Sequence, residues 1–300
     1  MEILQKRLRA QMMLALERPL ASRSGIFAHS NWDALLVLIT LVQLCLIVWG
    51  SANFDHFTTI EAVAFAAIQV ILCATQYDVV MHNFIHTRFF RSRALNSIFA
   101  ILCGLPVMNA FTDAAMQHLT HHKHVNDPID PATGSTKDPT STYRFGTEGR
   151  HEPLWRYALL APLRDLAEAP DYRKRPTLRR RVFVERSFLG AFWAAILVYN
   201  WRFLIFYLLV IYAAQIVNCA QNYFEHYGAA PGSSLTDSVS CYGRLYNLVW
   251  FNNGYHQEHH YRPGVHWSRV KELRREMLPN DRRRVVRWGH CMNFPHRRDA

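Results

Sequence analysis

No two cysteines of this 300-residue chain stand as a C-x-x-C pair. The six present are Cys45, Cys73, Cys103, Cys219, Cys241 and Cys291, an arrangement that argues against thiolate zinc and iron–sulfur sites. Four of them lie in or beside apolar runs, where a reduced cysteine behaves as a small hydrophobe. The apolar runs are nearly free of ionisable residues, which argues against a metal transporter with a mid-membrane site. No histidines face each other in mid-span, as a membrane haem would need. Residues 1–23 are basic and mildly amphipathic and lack a short apolar run followed by a small-residue cleavage site, so no signal peptide is expected. Soluble di-iron bundles use paired Glu-x-x-His motifs. The one match here, Glu148 with His151, falls in a loop-like stretch and reads as coincidence.

What the chain does have is apolar length. Half its residues are hydrophobic, in runs at 34–50, 60–77, 94–111, 188–199 and 203–219. A helix needs roughly 20 residues to cross the hydrocarbon core, so the polar ends of several runs must help. Only Asn200, Trp201 and Arg202 separate the last two runs, which predicts a helical hairpin. The third run is broken by Gly104 and Pro106 and is expected to be re-entrant or interfacial, buried by protein where its backbone is irregular. Lys and Arg set the orientation. They crowd the N-terminus, Arg88–Arg93, the segment 113–187 and the C-terminus, and are absent from 51–59. The expected fold is therefore an all-α integral-membrane bundle: about four transmembrane helices in two hairpins, both termini cytoplasmic, and a cytoplasmic helical cap. A single domain is expected over 1–300, with a basic N-terminal segment at 1–30 and a basic tail at 268–300. The net charge of +11 falls where membrane topology puts it, so no nucleic-acid partner is expected.

Histidine is unusually frequent, at 16 residues. Four clusters matter: His82-Asn83-Phe84-Ile85-His86, His118-Leu119-Thr120-His121-His122, the single His226, and His256-Gln257-Glu258-His259-His260. Residues three or four apart share a helix face. His82 and His86 can therefore converge, and in each H-x-x-H-H box the first histidine is expected to see both later ones. The second apolar run continues without a breaker into His82, so its helix should project about two turns past the membrane and bring all nine rings to one place. Nine nitrogen donors exceed the usual four of one zinc and suit two metals of higher coordination number. Imidazole accepts iron, zinc, copper or nickel alike. Ring nitrogens facing away from a metal need acceptors, and Asp78, Glu225, Asp237 and Glu258 are the candidates. His29, His56, His151, His290 and His296 read as satisfied or surface residues, with His124 and His266 intermediate.

The boxes, with hydrophobic hairpins between them, resemble the membrane fatty acid desaturase and hydroxylase superfamily, from the second span to about Trp267. Asn222-Tyr223-Phe224-Glu225-His226-Tyr227-Gly228 and Asp130-Pro131-Ala132 look like the corresponding stretches of alkane hydroxylases. Asn253-Gly254-Tyr255-His256 through Gly264 is more similar to bacterial desaturases and carotenoid ketolases. The resemblance implies a non-haem di-iron centre that uses dioxygen to attack unactivated C–H bonds of a lipid chain. Its ligands would be His82, His86, His118, His121, His122, His226, His256, His259 and His260. It implies fatty-acyl desaturation first, with hydroxylation, ketolation or oxidative decarboxylation to a terminal alkene as relatives of the same chemistry. With no haem-binding domain and no cysteine cluster, electrons would come from a separate ferredoxin-, rubredoxin- or b-type-cytochrome-like protein.

Overall fold

The computed structural model describes residues 25–167, 172 and 174–294. In chain order the helices are α1 (Asp33–Asn53), α2 (Thr59–His86), α3 (Arg93–Gly104), α4 (Phe111–His124), α5 (Leu154–Ala167), α6 (Pro176–Tyr199), α7 (Trp201–His226), α8 (Arg244–Val249) and α9 (His256–Tyr261). Two-residue strands, β1 (Ser240–Cys241) and β2 (Val285–Val286), pair in parallel with Ser240 opposite Val285.

Four helices are long and apolar enough to cross a membrane: α1 with its 3₁₀ extension to His56, α2, α6 and α7. They form two hairpins. Thr58 starts α2 with a capping box, its hydroxyl accepting from Glu61 N and its own N–H donating to the Glu61 carboxylate at 2.7 Å. Asn200 alone separates α6 from α7 and caps α7 by accepting from Phe203 N at 3.0 Å. Its amide also donates to Ser51 O at 3.1 Å and Asp55 Oδ2 at 3.2 Å. That contact ties the two hairpin turns together and puts them at one end of the bundle. The histidine-bearing ends of α2 and α7 therefore share the opposite end. Leu38, Ile68, Phe188 and Leu209 face outward, while Leu36, Ile47, Phe65, Phe203 and Tyr207 fill the interior, as expected of helices solvated by lipid.

At 28 residues, α2 is about 42 Å long against a hydrocarbon core of about 30 Å. The excess is about two turns and lifts His82 and His86 beyond the core. Residues Gln76–Met81 form a π-helical bulge just before them. Such an inserted residue rotates everything after it and is common at functional sites.

The 94–111 run does not form a span. Its helix, α3, has 12 residues, about 18 Å, and ends in a turn at 105–109 before α4 begins. Exposed carbonyls at that depth need donors, and four side chains supply them. Gln76 donates to Cys103 O at 3.0 Å, Trp193 Nε1 to Leu105 O at 2.9 Å, Tyr207 to Pro106 O at 3.0 Å and Tyr77 to Val107 O at 3.5 Å. Gly104 permits the return, since a Cβ there would stand 2.3 Å from Asn109 O.

The C-terminal region is more than a basic tail. Residues 268–294 fold back through 3₁₀ turns, β2 and His290–Met292. There Arg283 reaches Tyr242 and Gln257, and Asn293 donates to Phe224 O and Tyr227 O. The basic N-terminal residues and His296 lie outside the described residues. Within 25–30, Phe27 pairs with Phe90, which anchors the start of the described chain beside the first histidine pair.

Candidate metal centre

All nine box histidines come together, but in two groups. One holds His82, His86, His118, His122 and His259; the other holds His121, His226, His256 and His260. Within each group the candidate ligand atoms all lie within 4.8 Å of one another. The expectation that each H-x-x-H-H box points one way is corrected. His118 and His122 serve one group and His121 the other; His256 and His260 serve the second group and His259 the first. Helix geometry explains the split. At about 100° per residue, i and i+4 diverge by about 40°, while i+3 lies about 60° to the other side. Each box therefore straddles both groups, and the stacked rings of His122 and His260, 4.3 Å apart, form their shared wall.

The donor geometry fits metal ions. Nε2 atoms stand 2.8 Å apart for His82 and His259, 2.7 Å for His86 and His118, 2.9 Å for His118 and His122, and 3.1 Å for His122 and His259. In the second group, His256 lies 3.2 Å from His226 and 3.1 Å from His260. A metal with bonds of about 2.1 Å to imidazole puts neighbouring ligands about 3.0 Å apart. Hydrogen bonds on the outer nitrogens fix three tautomers. His82 Nδ1–H donates to Asp78 O at 3.1 Å, His226 Nδ1–H to Asp237 O at 3.2 Å and His121 Nδ1–H to Asp138 Oδ2 at 2.8 Å. Each then aims an Nε2 lone pair inward, and a cation held between them would relieve the resulting repulsion.

The four expected acids behave differently from one another. Asp78 and Asp237 serve through their backbone carbonyls, not their carboxylates; Asp237 accepts from Ser238 instead. Glu258 touches no box ring and accepts from Ser240, Tyr242 and, at 3.6 Å, Arg283, so it fixes the turn carrying the third box to β1. Gly254 permits that approach, its carbonyl accepting from Cys241 N at 2.7 Å. Of these four acids, Glu225 alone brings its carboxylate to the rings, with Oε2 3.6 Å from His256 Nε2 and Oε1 3.2 Å from His290 Nδ1. Gln221 and Asn253 hold the same Oε1 at 2.7 and 3.1 Å.

Sequence reasoning missed two residues here. Asp138 is wholly buried and accepts from His121, from Asn126 N at 2.8 Å and from Thr140. His290 is also wholly buried, wedged between Glu225, Gln221 and Val239 O. His266 lies away from the rings and bonds Asp33 Oδ1 at 2.8 Å, which pins the chain after the third box to α1. His151 bonds Thr142 at 2.7 Å.

Burial and mutual repulsion push the pKa values of His118, His122, His256, His259 and His260 well below the usual imidazole range. Neutral rings are the form a metal requires. His121 runs the other way: burial opposes its charge, but the Asp138 carboxylate overrides burial and raises its pKa.

A cavity of about 550 Å³ opens beside the rings, where it meets His82, His118, His121, His256 and Glu225. From there it follows α7 to Ile211 and Leu208, with Val107 and Met108 of the re-entrant turn opposite. Glu225 and Leu208 lie 17 positions apart, about 25 Å along the helix. Around its polar part stand Asp113 with Arg186, paired at 2.9 Å, and Arg164, held by Glu152 at 2.8 Å.

The sequence profile of the family described as fatty acid desaturase matches residues 58–291. The chain is 31% identical over 206 residues to sphingolipid delta(4)-desaturase DES1 of Drosophila melanogaster, covering 65% of this chain and 59% of that protein. It is 24% identical over 298 residues to the sphingolipid delta(4)-desaturase of Candida albicans, covering 89% of this chain and 75% of that protein. The chain thus spans less than two thirds of the fly protein's length.

Proposed function

Because this chain belongs to the fatty acid desaturase family, we propose that it is a membrane oxidoreductase that introduces a double bond into the aliphatic chain of a lipid. The observation that carries this reading is the meeting of nine inward-facing imidazoles with a long cavity that continues along a membrane span. In this reading the nine histidines hold two iron ions, five around one and four around the other. The iron pair would supply the oxidising power: with dioxygen, two external electrons and two protons, two hydrogens would leave adjacent carbons and two waters would form.

The protein's own part is placement. Val107, Met108, Leu208 and Ile211 offer an apolar channel that strips water from the chain and fixes which carbons lie beside His82, His118 and His256. Asp78 O, Asp138 and Asp237 O hold the protons of three ring Nδ1 atoms and so keep Nε2 available. Glu225 brings a second carboxylate beside the rings, near His256, as Asp138 does at His121. Two of the three cavity arginines, Arg164 and Arg186, are each matched by a carboxylate. That balance favours an uncharged head with hydroxyl or amide groups over a free carboxylate. Both relatives are named as sphingolipid desaturases, so a sphingolipid is the first substrate to test, with fatty-acyl lipids beside it.

The lysine and arginine pattern supports a topology with the termini and the rings on the cytoplasmic side. There a separate electron-carrier protein delivers the electrons, and the whole chain acts as one membrane domain. The test is turnover of the purified, iron-loaded protein with a reduced ferredoxin system and saturated sphingolipid or acyl lipid, under air and under argon, with products read by mass spectrometry. The expected product is an unsaturated lipid formed only under air. Exclusively oxygenated products would replace desaturation by hydroxylation, and no oxygen-dependent product from any lipid would overturn the enzyme reading.

A further inference from the structure

A second cavity, of about 610 Å³, lies between α3 and the start of α6 and shares no lining residue with the first. Four arginines line it: Arg88, Arg93, Arg180 and Arg181. The one carboxylate in its wall, Glu185, is already engaged, accepting from Thr112 N at 2.7 Å and from the Thr112 hydroxyl at 2.8 Å. Among the described residues no ion pair involves any of the four arginines. Arg88 instead lies over the rings of Phe84 and Phe111, at 4.6 and 4.5 Å. Burial, then the nearby Arg181, push its pKa down to about 10, and the opposing pull of Cys103 and Glu185 does not offset them.

The place is as informative as the charge. The end of α2, the start of α3 and the start of α6 all lie at the histidine end of the bundle, where hydrocarbon gives way to headgroups. The cavity floor is apolar, made by Ala100, Ile101 and Val184. Beside it, Ile98 and Phe183 are exposed toward the surrounding lipid. A small inorganic anion would use the arginines and leave that floor uncovered. A phospholipid uses both.

We propose that this cavity binds the phosphate of an anionic membrane phospholipid, with the arginines on the phosphate oxygens and the first methylenes on the apolar floor. Arginine suits the role because its fork donates two bonds to one phosphate, and basic pockets between membrane helices recognise such headgroups. Glu185 links the site to Thr112 in the first turn of α4, the helix that bears the second histidine box. Lipid bound here therefore steadies α4 without touching substrate or metal, and the inference stands apart from the reading of the histidines.

The test is thermal unfolding of the full-length protein in neutral detergent, titrated with phosphatidylglycerol, phosphatidylcholine or inorganic phosphate. Phosphatidylglycerol should raise the melting temperature; phosphatidylcholine and inorganic phosphate at the same concentration should not. The double variant Arg180→Gln/Arg181→Gln should weaken the phosphatidylglycerol response about 25-fold in concentration, from about fivefold per arginine. Ser97→Glu keeps every arginine, adds a carboxylate at an exposed position of the cavity wall, and should weaken it too. This variant carries the test if the double variant fails to fold. Equal shifts by the two lipids, a full shift by inorganic phosphate alone, or a wild-type response in Ser97→Glu would overturn the proposal.

Discussion

His121 donates its Nδ1–H to Asp138 Oδ2 at 2.8 Å across 17 residues of chain, joining a helix of the second box to a buried loop carboxylate. Asp138→Asn keeps an acceptor of the same shape but removes the charge that fixes the tautomer. Loss of such a partner costs about 10–100-fold in metal affinity or activity. Competition with a coloured chelator checks this. Wild-type retention of metal by Asp138→Asn would remove Asp138 from the site.

The crossing of the boxes between the two groups gives a second test. His118→Ala takes a donor from the five-ring group and His256→Ala one from the four-ring group. Each variant should lose the metal of its own group and keep the other, leaving about one metal per chain. If each alteration emptied both sites, or neither, the division into two groups would be wrong. Elemental analysis of the purified variants decides.

Stability should fall in acid. His118, His122, His256, His259 and His260 have folded pKa values well below their ordinary 6.5. Below pH 6.5 the unfolded chain takes up protons at these rings while the folded chain does not, so stability is full above 6.5 and is lost as pH falls. The slope is about 1.4 kcal/mol per pH unit for each ring that remains neutral in the folded state. His121, with a raised pKa, contributes in the opposite sense. Thermal melts of metal-free protein between pH 7 and pH 5 should show the decline. A flat profile would mean that the rings are solvated rather than buried.

The re-entrant turn depends on Trp193 and Tyr207, which donate to Leu105 O and Pro106 O. Trp193→Phe leaves the Leu105 carbonyl only the long bond from Met108 N at 3.4 Å, and Tyr207→Phe leaves that of Pro106 only the Cys73 thiol at 3.8 Å. In a membrane such bonds are worth about 0.6 kcal/mol on average and about 1.7 kcal/mol at most. Each variant should melt earlier by a corresponding few degrees and, because the neighbouring Val107 and Met108 line the cavity, shift the position of the new double bond. Unchanged melting would show that the turn is held by other means.

Much of this was legible in the sequence because it is periodic or local. The hairpins follow from apolar length and from Asn200; the nine histidines follow from three- and four-residue spacing; the non-crossing α3 follows from Gly104 and Pro106. Spacing alone does not show that His121 and His259 turn away from their own boxes, because i+3 and i+4 lie about 100° apart on a helix, and only the neighbouring helices decide whether that arc faces one site or two. Supporting acids were harder. Asp78 and Asp237 lie where an acid was expected, yet they act through carbonyls that every residue carries. Asp138 and His290 reach the site through irregular segments and short turns with no period to follow, so no local pattern marks them. The folded C-terminal region was masked by its charge, since a basic segment beside a membrane reads equally well as a tail.

The central claim is that two groups of imidazoles hold two irons. Elemental analysis of the wild-type protein, purified in detergent without chelator and with protein quantified by amino-acid analysis, tests it most directly. The account predicts two irons per chain. One iron per chain, or zinc in place of iron in protein that turns over lipid with dioxygen, would contradict it.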